Sequence, residues 1–198
     1  MAHLEPVTLT GALVTLEPLR VDHHDELVAA ASDGRLWELW YTSVPSPETM
    51  RDALEGLLAE QAAGTRLPFV VRRTADGAVV GATTYLDVEV DVPRLEIGST
   101  WTARSAQRTG VNAESKLLLL THAFETVGCL AVEFRTHWHN QQSRAAIARL
   151  GAKQDGVLRN HRRMPDGSLR DTVVFSITDS EWPAVRSGLH HRLARSAS

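Results

Sequence analysis

Seven stretches of the chain read as strands, most of them because apolar and polar positions alternate along them: residues 12–19, 68–73, 78–88, 94–102, 131–137, 153–163 and 169–178. Between them the period lengthens to that of a helix. Asp22 caps a helix running to about Ala31, Ser46-Pro47-Glu48 opens one that stops at Gly64, and Asp179 to Trp182 opens a last one to about Leu193. From Val111 onward Ala113, Leu117, Leu120, Phe124 and Val127 share one face, widened by Leu118 and Leu119, so this helix is expected to be largely buried. Residues 140–150 form a further helix with Gly151 as its stop. Asp76-Gly77 and Pro165-Asp166-Gly167 are hairpin turns.

This order places a helix between only some of the strands. It predicts a mixed sheet flanked by helices, an α/β (α+β) architecture rather than a purely parallel one. Residues 1–198 read as a single domain, with short loose tails at about 1–9 and 194–198. The net charge of −3 argues against a general nucleic-acid binder. No apolar run reaches the length of a membrane span, and no signal segment opens the chain, so a cytoplasmic protein without a membrane partner is expected. The single cysteine, Cys129, agrees with that address and excludes an intrachain disulfide framework. Set in an apolar stretch with no adjacent base, it reads as a buried inert thiol.

The richest stretch lies between the strand at 94–102 and the helix that starts at Val111. Gln107-Arg108-Thr109-Gly110-Val111-Asn112 is a glycine-containing loop opening a helix. Free N–H groups and the positive end of the helix dipole make such a loop an anion site, commonly for phosphate. A Walker loop and the dinucleotide fingerprint are both excluded, the first by the missing Lys-Ser/Thr and the second by the lone glycine. Trp37, Trp40 and Tyr41 stand beside a proline-rich loop and form either a short core helix or an aromatic wall over a substrate cleft. His137 and His139 are too sparse a pair for zinc, so no metal is expected; with Trp138 they line an acceptor cleft or cover a strand end. Arg162, Arg163, Arg170 and Asp171 suit a salt-linked hairpin or recognition of an acceptor carboxylate or a partner subunit.

The loop resembles the pyrophosphate-binding motif of the GNAT superfamily of N-acetyltransferases, with Gln107, Gly110 and Asn112 at its three positions and Asn replacing the usual Gly or Ala at the last. A second stretch, NQQSRAAIARLGA from Asn140 to Ala152, is similar to the pattern that follows the fifth strand in that family. LEIG at 95–98, Trp101, the 156–167 hairpin, Arg170-Asp171 and the LEPLR segment at 16–20 look like its RimJ/RimL-type branch. The resemblance covers roughly residues 10–185. It implies a mostly antiparallel sheet of about seven strands, splayed between the fourth and fifth. It also implies acetyl-CoA as donor, a primary amine such as a protein N-terminus or small molecule as acceptor, and commonly a homodimer. Trp101, Thr102, Gln107, Arg108, Thr109, Gly110, Val111, Asn112, Asn140 and Ser143 are then the expected coenzyme contacts. Glu96 is the expected general base, acting through water, unless it is an outward strand residue or a structural acceptor. Ser143 is expected near the coenzyme sulfur and Asn140 on the pantetheine arm, unless either merely caps its helix. A non-catalytic acyl-CoA-binding module is the alternative reading.

Overall fold

A computed structural model that describes residues 4–196 arranges the strands as one eight-stranded sheet. The elements in chain order are β1 (Leu9–Thr10), β2 (Val14–Pro18), α1 (His24–Ser32), α2 (Met50–Ala62), β3 (Leu67–Arg73), β4 (Val79–Glu89), β5 (Arg94–Thr102), α3 (Val111–Thr121), β6 (Ala131–His137), α4 (Gln141–Ala148), β7 (Lys153–Arg163), β8 (Leu169–Thr178) and α5 (Trp182–Ser196). The spatial order is β1-β2-β3-β4-β5-β6-β8-β7, and only β5 and β6 run parallel. That parallel seam is short: Arg94 pairs with Ala131, Leu95 with Val132 and Glu96 with Glu133, and there it ends. From Ile97 onward β5 has no partner on the β6 side, which is the expected splay.

The core fills both sides of this sheet. Leu95, Ile97, Val132 and Phe134 are buried on the strands that flank the seam. α1 and α2 pack together over β4 and β3, α3 packs with α5 and against β2, and α4 lies on β6 and β8. The helix expected from Val111 is buried on most sides, as its broad apolar face requires, but it is α-helical only to Thr121. From His122 to Val127 it widens into a π-helix that ends at Gly128, φ +80°. One residue of β5 is irregular. Ser99 and Thr100 both stand opposite Thr83, and Ser99 has φ +47°, so the strand carries a bulge there.

Four expectations change. The strands number eight because Leu9 and Thr10 pair with Leu16 and Thr15. The lead-in expected to be loose carries Leu4, Val7 and Leu9 against the core; residues 1–3 and 197–198 lie outside the described chain, and α5 continues through the expected tail to Ser196. The helix expected at Ser46 begins at Met50, because the Thr49 hydroxyl accepts from the Ser46 N–H and closes a turn there first. The aromatic stretch is a single 3₁₀ turn, Leu36–Glu38, that buries Leu36 and leaves Trp40 57% exposed. At the far edge β7 is outermost; none of its residues is buried, its register against β8 shifts twice, and Asn160 has φ +48°.

Candidate active site

Alternation along β4 and β5 sorts the side chains by face. Tyr85 donates to the Leu119 carbonyl of α3 at 2.6 Å, so odd positions of β4 face that helix. Leu86 points the other way, and its Cδ2 lies 3.0 Å from where a Cβ on Gly98 would sit; a Glu96 Oε1 lies 2.6 Å from the same point. Glu96 therefore folds over the bare backbone of Gly98, on the face away from α3 and beside the end of the seam. It is 6% exposed. Burial pushes its carboxyl up to about 7, against the pull of Arg135, whose Nε stands 3.5 Å away. Arg162 and Arg170 add weaker attraction from the β7–β8 hairpin, and Asp87 opposes them.

Gly98 is what leaves room for that carboxylate. A Gly98→Ala protein is expected to fold but to lose about 10²-fold in turnover, because its methyl would displace the carboxyl from the strand. Steady-state kinetics beside a thermal melt checks this; unchanged turnover would mean that Glu96 does not need its present place.

The 107–112 loop lies at the other end of β5. Arg108 and Gly110 both adopt left-handed backbone, φ +63° and +90°. The N–H groups of Arg108, Thr109 and Gly110 donate to nothing among the described residues, and those of Val111 and Asn112 belong to the open first turn of α3. The result is a concave row of donors at a helix N-terminus. Arg108 and Thr109 are exposed and Asn112 is half-buried. Gln107 turns inward: its amide donates to the Thr102 carbonyl at 3.0 Å and its carbonyl accepts from Gln142 at 3.2 Å. It thereby ties the loop to the end of β5 and to α4, across the gap.

On α4, Asn140 is a helix cap, its Oδ1 accepting from the Ser143 N–H at 3.0 Å. The Ser143 hydroxyl has no partner among the described residues and is half-buried. The aromatic residues gather over the end of β6. The Trp40 ring lies 5.2 Å from His137 and 5.5 Å from His139, with Tyr41 edge-on at 5.6 Å. Trp37 packs on the margin of the core and Trp138 stacks under the Arg144 guanidinium at 4.2 Å. Beside these rings a small cavity of about 150 Å³ is lined by His137, His139 and Asp171. A larger polar cleft of about 920 Å³ opens near the β4–β5 turn, walled by Asp87, Glu89, Arg94, Glu133 and Arg135. Neither includes the 107–112 loop; the large one meets the Glu96 site through Arg135.

Two buried charges on α3 escaped the sequence reading. Glu114 accepts the N–H groups of Ala12, Leu13 and Val14, at 3.1, 2.6 and 2.8 Å. Lys116 is 4% exposed and donates to Thr83 and Thr100. Their helical spacing to Val111, Leu119 and Leu120 was the available signal. Cys129 is buried, and burial pushes its thiol up to about 11, so it is inert at neutral pH. Among the described residues no cluster of three or more His, Cys, Asp or Glu could hold a metal, and no helix is long and apolar enough to cross a membrane.

Comparison with known proteins fits this geometry. A family profile described as an acetyltransferase (GNAT) domain matches residues 14–153. A protein from T. thermophilus described as an acetyltransferase is 34% identical, with a TM-score of 0.84 over 96% of this chain and 98% of its own. A GCN5-related N-acetyltransferase from Brucella melitensis is 30% identical, with a TM-score of 0.84 over 97% and 87%. Mycobacterium smegmatis RimJ, solved in complex with CoA-disulfide, is 27% identical, with a TM-score of 0.79 over 94% and 95%. None of the curated proteins matches the sequence.

Proposed function

Since the chain belongs to the GNAT acetyltransferase family, and is thereby an acyltransferase that draws on acetyl-CoA, we propose that it acetylates a primary amine by direct attack on the thioester. The observation that carries this reading is Glu96: a buried carboxyl held near 7, beside the mouth of the gap between β5 and β6. Such a group takes a proton from an ammonium at neutral pH, here through one bridging water. The unpaired edge of β5 supports the rest. Its free backbone groups suit the pantetheine amides, as an added strand would. The N–H groups near Trp101 and Thr102 suit the oxygen of the tetrahedral intermediate. The donor row at 108–112 suits the pyrophosphate, with Arg108 free to pair with it. Asn112 adds an amide rather than a bulky wall to that row. Ser143 suits the departing sulfur, which its unpartnered hydroxyl would protonate or solvate.

The acceptor enters from the Glu96 face, a protein N-terminus or a small-molecule amine. Trp40, Tyr41 and Trp138 wall its approach, with Trp37 behind them. Arg135, Arg162 and Arg170 around Glu96 favour an acceptor that carries a carboxylate near its amine.

Calorimetric titration of acetyl-CoA tests the coenzyme half of this reading. Micromolar binding is expected. Gly110→Asp is expected to weaken it at least about tenfold, since a side chain at φ +90° is strained and its charge opposes the phosphates. Far-UV dichroism confirms that the variant is folded. No binding by the unsubstituted protein would overturn the reading in favour of a scaffold that has lost its coenzyme.

A further inference from the structure

Lys116 stands in the core with no carboxylate beside it. Its Nζ donates to Thr100 Oγ1 at 2.7 Å and to Thr83 Oγ1 at 3.0 Å, and the two hydroxyls are 2.8 Å apart. The three groups close a triangle beneath the β5 bulge. Strict alternation would send Thr100 to the Glu96 face; the extra residue at Ser99 turns it to the α3 face instead. Thr83 is wholly buried, whereas Thr100 is exposed along the part of β5 that has lost its β6 partner.

With Lys116 in its ammonium form, a proton count fixes the direction of the bonds. An ammonium only donates, so both hydroxyls accept from Lys116. The bond between the hydroxyls uses one of their two protons and leaves the other over. If Thr100 supplied that bond, the spare proton would belong to Thr83, buried with no further acceptor among the described residues. A buried hydroxyl proton left without an acceptor is costly, which disfavours that arrangement. Thr83 therefore donates to Thr100, and the Thr100 proton faces outward. Its other protein acceptor, the Gly98 carbonyl, is long at 3.4 Å.

We propose that the Thr100 hydroxyl donates a hydrogen bond to the thioester carbonyl of acetyl-CoA, and that Lys116 is the positioning residue that polarises it. The inference rests on the coenzyme reading above. As the amine attacks, the carbonyl oxygen gathers negative charge and sheds it when the carbon–sulfur bond breaks. Thr100 shares its proton throughout and transfers nothing. The cation behind it strengthens the donor through the hydroxyl. Burial holds Lys116 down to about 7. The charge forming on the oxygen favours the ammonium form, which is the form that leaves the Thr100 proton free.

Isotope-edited infrared spectroscopy of carbonyl-¹³C acetyl-CoA bound at about pH 6, where the lysine is charged, reads this contact without needing the acceptor amine. The bound carbonyl band is expected below its position in an apolar solvent. Thr100→Val removes the downshift, Thr100→Ser restores it, and Lys116→Met reduces it. Thr100→Val is also expected to weaken acetyl-CoA binding about fivefold, the equivalent of one net hydrogen bond. Coenzyme A without the acetyl group should bind it as before. A band that Thr100→Val leaves in place overturns the inference, and so does an equal loss of affinity for coenzyme A, which marks a purely structural role. A band that Lys116→Met leaves in place overturns the role of the lysine. Failure of the unsubstituted protein to bind acetyl-CoA at all overturns the coenzyme reading, and this inference falls with it.

Discussion

Glu96→Gln is expected to lower kcat by about 10²–10⁴-fold, the usual worth of a positioned general base, while the KM for acetyl-CoA changes little. Gln keeps the shape of the side chain and its room over Gly98 but cannot take a proton. The pH profile separates this from a structural effect. With the carboxyl raised to about 7, activity of the unsubstituted protein should climb with pH up to about 7 and then level. The climb should vanish in the variant. Stability should move the other way. A carboxyl whose folded pKa is raised contributes stability below its unfolded value of 4.5, and that contribution is lost as pH rises to about 7. Above that range the charged form costs on the order of 3 kcal/mol, a net figure in which the pull of the adjacent arginines is already included. Glu96→Gln should therefore melt at or above the temperature of the unsubstituted protein at pH 8. A variant both inactive and less stable there would mark Glu96 as a structural acceptor.

Glu114→Ala is expected to cost about 3 kcal/mol of folding stability, the largest effect outside the Glu96 site. Its carboxyl oxygens, 8% exposed by residue, are the acceptors for three successive N–H groups of the chain entering β2. Of these the Val14 N–H is buried and finds no water when the acceptor is gone; those of Ala12 and Leu13 recover part of their loss from solvent. Position matters as well, since Glu114 lies near the positive end of α3. Gly11 is shaped for this contact: a Cβ there would sit 2.5 Å from Oε2. Urea unfolding should show a lower midpoint at unchanged slope. The loop at 107–112 opens the same helix, so acetyl-CoA affinity should fall with stability. A loss of stability below about 0.5 kcal/mol, the range of an ordinary surface substitution, would mean that β2 does not depend on the clamp.

Much of this architecture was legible before any coordinates. β5, β6, β7 and β8 begin and end where alternation and turn residues place them, because each alternates along its length and has a glycine, proline or aspartate within three residues of at least one end. Asn140 and Gly151 mark both ends of α4 for the same local reason. What escaped depends on tertiary contact. Glu114 and Lys116 have partners only where β2 and the β5 bulge are brought over them. The bulge at Ser99 is announced only by Gly98 beside it, a residue that alternation alone does not distinguish from a regular strand position, so the switch of Thr100 from one face to the other was not read. Pro47 is a sound helix opener in isolation; the Thr49 hydroxyl outcompetes it by closing a turn first. Of the candidate site, the loop and Glu96 stood out by residue type. The convergence of Trp40 on His137 and His139 did not, since nearly a hundred residues of intervening chain separate them.

The outermost strand carries a last consequence. An open sheet that ends in a long unpaired edge invites another chain to add itself there. β7 resists this: its two register shifts and the left-handed Asn160 break the straight row of N–H and C=O groups that a new strand would need. Lys153 and Arg159 are paired with Glu181 and Asp171, but Arg162 and Arg163 place like charges at the end of the strand, so two copies meeting edge to edge repel there. Resistance to aggregation is thus written into the same hairpin that sends Arg162 and Arg170 toward Glu96, and any pairing of two copies is steered from strand addition to contact between faces.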